Sequence, residues 1–118
     1  MKIRDIIKYI EKRYPSKSAL DFDNSGANIV SYDDEVKKIL VCLDISYNAI
    51  KYAIDNNVNF IVSHHPIIFN EIKNINDDTL SKKIRLLLSN NISAYSVHTN
   101  FAPGITPIFI HKLLNNFI

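Results

Sequence analysis

The stretch FIVSHHPIIF, residues 60–69, decides the fold because it joins a buried strand to a rigid turn. The run 58–62 is β-branched or aromatic apart from one asparagine, which predicts a short buried strand. Pro66 has no N–H and a fixed φ, so the strand cannot continue through it. A residue that precedes a proline is pushed towards extended conformations. His64 and His65 are therefore predicted to stand at the end of a strand, held there by a turn.

The two adjacent imidazoles are candidate metal ligands. Neutral imidazole is a common ligand for zinc, iron, nickel and copper, and ligands of open α/β sheets bind outside the carboxyl ends of the strands. Adjacent residues of a strand point to opposite faces. Two ions, one on His64 and one on His65, therefore fit more easily than one ion chelated by both. An adjacent histidine pair is also typical of ordinary loops and cores, so both interpretations stay open here.

Length and composition predict one domain, residues 1–118, of an ordinary globular protein. The chain is 47% hydrophobic and 22% charged with a net charge of +2, which gives no electrostatic case for binding nucleic acid or a membrane surface. The one cysteine, Cys42, allows neither an internal disulfide nor a cysteine-based zinc site, and its apolar neighbours predict an inert core residue. There is no membrane-length apolar run and no signal-peptide pattern, so we expect a cytoplasmic protein.

Apolar periodicity predicts three helices in the first 90 residues. Isoleucines at positions 3, 6, 7 and 10 predict an N-terminal helix that Pro15 ends. Ser46 and Asp78 are candidate N-caps of the next two helices, and Asn-Asn pairs follow each of them. The predicted inward-facing residues are Tyr47, Ile50, Ala53 and Ile54 on the second helix, and Leu80, Ile84, Leu87 and Leu88 on the third.

Apolar runs between the helices predict the strands. Residues 39–43 are continuously apolar and are predicted to form the central strand, residues 92–97 predict another strand, and residues 27–30 predict a short one. Each strand–helix–strand unit should have parallel strands and a right-handed crossover. This arrangement brings His64, His65 and His98 to one edge of the sheet. The predicted fold class is α/β, a three-layer-type mixed or parallel sheet with flanking helices.

Two motifs together resemble a known family. SHHPIIF at residues 63–69 and VHTN at residues 97–100 resemble the dinuclear-metal-centre proteins called GTP cyclohydrolase 1 type 2 homologs. DNSG at residues 23–26 is similar to the family's Asp-Asn-x-Gly, and LDIS at residues 43–46 is similar to its first βα turn. The resemblance covers essentially the whole chain and implies the N-terminal portion of the family's α/β fold, without its C-terminal half. It also implies a homo-oligomer, in the family a toroidal hexamer, and a nucleotide substrate.

The same resemblance implies a metal-dependent, cyclohydrolase-like hydrolase with two divalent metal ions per subunit. His64 and His65 match the family's His-His-Pro ligands, one to each metal ion. The family's next ligand is an Asp two positions beyond the Asn of His-Thr-Asn, where this sequence has Ala102. Its last ligands are a His and a Glu near the C-terminus of a longer chain. No Asp or Glu follows Asp78, and His111 is predicted to be a surface residue. We therefore expect this chain alone to be inactive on GTP.

Three functions follow as hypotheses. The first is a metal-dependent hydrolase that acts on a purine nucleotide, with the metal held on His64 and His65. The second is a degenerate member that keeps the fold without turnover, and the third is a scaffold or regulatory module whose ring assembly is the function. Asp23 and Asp44 are the carboxylates at strand-end positions, and turn or cap roles are more typical of both.

Overall fold

A computed structural model of the chain describes residues 1–15, 24–31 and 35–97. The predictions for Asp23, His98, Ala102 and His111, and for a last helix after Pro107, lie outside the described residues. In chain order the elements are α1 (Ile3–Arg13), β1 (Gly26–Ile29), β2 (Ile39–Cys42), α2 (Tyr47–Asp55), β3 (Phe60–Ser63), α3 (Thr79–Ser89) and β4 (Ser93–Ser96).

The four strands form one mixed sheet in the order β1-β4-β3-β2. Strands β2, β3 and β4 are parallel, in a register that aligns Cys42 with Ser63 and Ser63 with Ser96, whereas β1 runs antiparallel to β4. The parallel pairing predicted for both strand–helix–strand units is therefore confirmed. The prediction that residues 39–43 form the central strand is wrong. Every residue of β2 is only half-buried at the edge of this sheet, while β3 and β4 are buried throughout.

Helices cover both faces of the sheet, which confirms the three-layer α/β class. Successive residues of a strand point to opposite faces, so the odd and even positions of β3 and β4 enter different cores. The first core joins α1 to the sheet through Ile3, Ile6, Ile10, Phe60, Val62, Tyr95 and Val97. The second core joins α2 and α3 to the opposite face through Ile50, Ala53, Ile61, Ile84, Leu87 and Ala94.

The helix boundaries follow the predicted caps. The Ser46 hydroxyl and the Asp78 carboxylate accept hydrogen bonds from the N–H groups of Ala49 (3.1 Å) and Ser81 (2.7 Å), and both helices end at the predicted asparagines. The inward position predicted for Leu88 is wrong, because its side chain is 47% exposed. Leu88 lies about 100° around the helix from its buried neighbour and so turns away from the sheet. Tyr47 is likewise exposed at the start of α2.

A long connection without helix or strand links β3 to α3, residues 64–78. Phe69, Ile72 and Ile75 expose apolar side chains along it. Loops of this length in compact domains usually carry function. The histidine pair stands at its first two positions. None of the helices within the described ranges combines the length and the apolar character that a membrane crossing requires.

Candidate metal centre

The two histidines extend the β2–β3 pairing past the end of the sheet. The backbone N–H of His64 donates to the carbonyl oxygen of Cys42 (3.1 Å), and that of His65 donates to the carbonyl oxygen of Leu43 (2.9 Å). The parallel ladder therefore fixes their backbone before Pro66 turns the chain away. The structure places both imidazoles at the carboxyl edge of the sheet, as predicted for this pair.

Two buried serine hydroxyls hold the backbone carbonyls of the histidines. The hydroxyl of Ser63 donates to the carbonyl oxygen of His65 (2.7 Å), and that of Ser96 donates to the carbonyl oxygen of His64 (3.0 Å). Both serines are at most 2% exposed. Serine provides the donor without the bulk of a longer side chain, and a buried hydroxyl needs such a partner. No local pattern in the sequence marks these serines as supports of the site.

The two histidine rings are held from opposite sides of β3, one by a residue after β4 and the other by a residue after β2. The Nδ1 atom of His64 lies 3.1 Å from the carbonyl oxygen of Val97, after β4, and the Nδ1 atom of His65 lies 2.6 Å from Oδ1 of Asp44, after β2. A carbonyl oxygen and a carboxylate oxygen can only accept, so each Nδ1 carries the proton. A neutral ring of this tautomer has its lone pair on Nε2. The ring centroids are 4.9 Å apart and the rings are tilted by 52°.

Asp44 orients His65, which corrects the turn or cap role that the sequence favoured for this residue. The register of β2 and β3 aligns Cys42 with Ser63, and two residues further along each strand this alignment brings Asp44 beside His65. A carboxylate on the distal nitrogen of a ligating histidine fixes its tautomer and raises its basicity. Knowledge of the strand register would have revealed the pair, but the sequence alone does not provide it.

Two asparagines clamp the segment that follows the histidine pair. The side-chain amide of Asn24 donates to the carbonyl oxygen of Ile68 (2.6 Å), and the side-chain oxygen of Asn28 accepts from the N–H of Ile68 (3.2 Å). The side-chain amide of Asn28 also donates to the backbone carbonyl oxygen of Asn24 (3.0 Å), which ties the Asn28 side chain to the backbone of Asn24. The clamp ties the connection after Pro66 to β1, and it gives a physical role to the asparagine of the DNSG motif.

Cys42 stands close to the site, at the end of β2. Burial raises the pKa of its thiol to about 11, and the negative charge of Asp44 acts in the same direction. Since the thiolate is the nucleophilic form, a thiol that keeps its proton is unreactive at neutral pH. This agrees with the inert role predicted from the sequence.

The donor set fits two imidazole ligands but not a complete metal site. Within residues 1–15, 24–31 and 35–97, no group of three or more His, Cys, Asp or Glu side chains could hold a metal ion. Catalytic zinc sites usually have three protein ligands. His64 and His65 can therefore each provide one oriented donor, and a full coordination shell needs donors from beyond the described part of the chain.

Comparison with known sequences gives a consistent result. The sequence pattern of the Duf34/NIF3 (NGG1p interacting factor 3) family matches residues 1–112. The GTP cyclohydrolase 1 type 2 homolog of Clostridium acetobutylicum is 41% identical over 101 residues, 85% of this chain and 38% of that protein. The homolog of Methanocaldococcus jannaschii is 38% identical over 101 residues, 85% of this chain and 41% of that protein. The chain thus spans less than half the length of these curated relatives.

Solved structures of other proteins are similar to most of this chain over a part of their own length. The Staphylococcus aureus protein SA1388 superposes with a TM-score of 0.79 at 33% identity, covering 85% of this chain and 29% of that chain. Reduced HcgD from Methanocaldococcus jannaschii superposes with a TM-score of 0.76 at 37% identity, covering 85% of this chain and 40% of that chain.

Proposed function

Because the chain belongs to the Duf34/NIF3 family, we propose that it is a metal-binding, hydrolase-like protein whose His64 and His65 each bind one divalent cation of a dinuclear site. The observation that carries the proposal is the anchoring of both Nδ1 atoms, one by Val97 and one by Asp44. Metal-ligating histidines almost always donate their other ring N–H to a carbonyl or a carboxylate. Relatives bear the name GTP cyclohydrolase 1 type 2 homolog, so a guanine nucleotide is the proposed substrate class.

The residues of this chain have separable roles in that proposal. His64 and His65 present Nε2 lone pairs, and Asp44 fixes the ring of His65 while offsetting positive charge at the site. The opposite directions of the two anchors favour one cation on each ring over a single chelated ion. When bound, divalent cations of such a pair polarise a substrate oxygen and lower the pKa of water. The serine and asparagine contacts keep the ligand backbone in place.

A degenerate, non-catalytic family member is the second candidate, and a specific feature of the sequence favours it. No Asp or Glu follows Asp78, and Ala102 stands where the family has its loop carboxylate. Carboxylates are the ligands that offset the charge of paired cations. Under this alternative the chain keeps the fold as a scaffold or regulatory module. Both candidates share the expectation that the chain alone does not open the ring of GTP.

Assembly of several copies is part of the proposal. Leu43, Tyr52 and Phe69 expose large apolar side chains, and contact with another copy of the chain would remove this surface from water. Sedimentation of the purified chain tests this point. Self-association at micromolar concentration is expected, and a monodisperse monomer would contradict it.

Metal analysis tests the proposed function. The protein is purified without chelator, loaded with Zn²⁺ or Mn²⁺, desalted and measured by mass spectrometry, together with His64→Ala, His65→Ala and the surface control Lys51→Ala. The proposal predicts about two ions in the parent and the control and about one in each histidine variant. Equal metal contents in all four proteins would refute it. The absence of bound metal from all four proteins would favour the degenerate alternative.

A further inference from the structure

The outer edge of β2 is open within the described part of the chain. β2 is the last strand of the order β1-β4-β3-β2, and no described strand pairs with its free side. The N-terminus occupies that side only before β2, where the N–H of Val36 donates to the carbonyl oxygen of Met1 (2.9 Å). Proteins usually block such an edge with charges, prolines or bulges, and residues 39–42 contain none of these. At the other edge of the sheet, β1 is interrupted by a register shift between Ala27 and Ile29.

The backbone of β2 directs hydrogen-bonding groups towards this open side. The carbonyl oxygen of Cys42 accepts from the N–H of His64, so this carbonyl faces β3. Successive residues of a strand turn their backbone groups to opposite sides. The N–H and carbonyl groups of Ile39 and Val41, and the N–H of Leu43, therefore point away from the sheet. They form a short row of donors and acceptors that another strand can pair with.

We propose that the β2 edge pairs antiparallel with the β2 edge of a second copy of this chain, with Lys38 of each copy opposite Asp44 of the other. In this register a two-fold axis passes beside Val41, whose N–H and carbonyl group exchange hydrogen bonds with those of Val41 in the second copy. The N–H of Leu43 donates to the carbonyl oxygen of Ile39 across the same interface. The inference rests on the self-association in the proposed function and needs no metal ion.

The charges at the two ends of β2 favour this register. Lys37 and Lys38 precede the apolar strand, and Asp44 follows it. Antiparallel pairing centred on Val41 brings the basic end of one strand to the acidic end of the other, whereas parallel pairing would place lysine beside lysine. The Asp44 carboxylate is exposed, so it can meet a lysine while its Oδ1 atom still accepts from His65. An edge that complements itself in this way fits a second copy of the same chain.

A cavity of about 440 Å³ lies beside the first half of β2 and can accept apolar side chains of the second copy. Its lining includes apolar residues from the N-terminus, α1, β2 and α2, namely Met1, Ile6, Ile39, Leu40 and Tyr52. Leu43 has an exposed apolar side chain at the far end of β2. The proposed register sets Leu43 of the second copy opposite Ile39, beside this cavity. Pairing therefore removes apolar surface of both copies from water.

Charge reversal tests the interface by sedimentation velocity at low ionic strength. Lys38→Glu places two carboxylates opposite each other, whereas Lys82→Glu makes the same change at an exposed position of α3. We expect Lys38→Glu to raise the dissociation constant of the dimer by about tenfold, because the two-fold axis repeats the lost pair, and Lys82→Glu by less than about twofold. The double variant Lys38→Glu with Asp44→Lys should restore association to within about threefold of the parent.

A disulfide tests the register. Val41 lies opposite itself in the proposed dimer, with Cα atoms about 5.5 Å apart, a separation that a disulfide spans. In a Cys42→Ser background, Val41→Cys should give a covalent dimer on mild oxidation. Leu43→Cys in the same background is the matched control, because the two copies of residue 43 lie at opposite ends of the interface. Since Leu43 is the more exposed position, random collisions would cross-link Leu43→Cys at least as well, and that result would overturn the register.

The outcomes separate this inference from the metal site. Association that is unaffected by Lys38→Glu, or weakened equally by both lysine variants, would overturn the β2 interface. A monomeric parent would also overturn it, and slow hydrogen exchange of the Val41 amide in that monomer would show that the chain covers its own edge. We expect equal dimerisation in chelator and in Zn²⁺, and dimerisation only with Zn²⁺ would contradict the proposal. Metal contents of the histidine variants test the metal site independently, and thermal unfolding confirms that each variant is folded.

Discussion

Replacing Asp44 should weaken metal binding without unfolding the protein. Its Oδ1 atom is 2.6 Å from Nδ1 of His65, a charge-assisted contact that makes the ring a stronger ligand. Loss of such a partner typically costs about 10–100-fold in metal affinity. The side chains of His65 and Asp44 are 49% and 69% exposed, so water screens the interaction. We therefore expect Asp44→Asn to weaken metal affinity by about tenfold, or about 1.4 kcal/mol, which is the lower end of that range.

The matched control is Asp55→Asn at the end of α2, which removes the same charge from an exposed residue away from the site. Zn²⁺ affinity is measured by competition with a chromophoric chelator at fixed pH and ionic strength. Asp44→Ala, which removes the acceptor as well as the charge, should weaken binding further than Asp44→Asn. Equal affinities for parent, Asp44→Asn and Asp44→Ala would refute the orienting role. Equal losses in Asp44→Asn and Asp55→Asn would show that only the overall charge matters.

Three further predictions concern the clamp, the core and a helix cap. Asn28→Ala should speed hydrogen exchange of the Ile68 amide by removing its acceptor, and unchanged exchange would contradict the clamp. Leu87→Ala should lower the free energy of unfolding by about 2–5 kcal/mol in urea titrations, whereas Leu88→Ala, at an exposed position of the same helix, should cost much less. Hydrogen bonds from the backbone and side chain of Ser81 lower the pKa of the Asp78 carboxyl. The ionised Asp78 carboxylate should therefore stabilise the folded state above about pH 3.9, and this contribution should be lost as pH falls towards the lower folded-state pKa. Thermal unfolding between pH 5 and pH 2 should therefore show a smaller acid-induced decrease for Asp78→Asn, and parallel curves would contradict this.

Local patterns in the sequence predicted most of the fold. Ser46 and Asp78 were identifiable as caps because a capping side chain acts within three residues of its own position. The parallel pairing of β3 with both neighbours followed from the strand–helix–strand order. The edge position of β2 could not be predicted, because an apolar run indicates a tendency to be buried but not the order of the strands in the sheet.

The two candidate ligands could be proposed from the sequence, whereas the contacts that hold them in place could not. His64 and His65 are adjacent in sequence, and the proline beside them signals where the strand stops. Their anchors come from other strands, and those pairings depend on the register between β2, β3 and β4. The resemblance to the family gave the metal hypothesis, while the anchoring of Nδ1 became visible only once the three strands were side by side.

Heteronuclear NMR of the imidazole nitrogens, recorded before and after addition of Zn²⁺, tests the central claim most directly. The structure predicts that His64 and His65 both carry the proton on Nδ1 and that Zn²⁺ shifts both Nε2 resonances while the Nδ1 protons remain. Protons on Nε2 in the free protein, or Nε2 resonances that Zn²⁺ leaves unchanged, would contradict the assignment of these two rings as metal ligands.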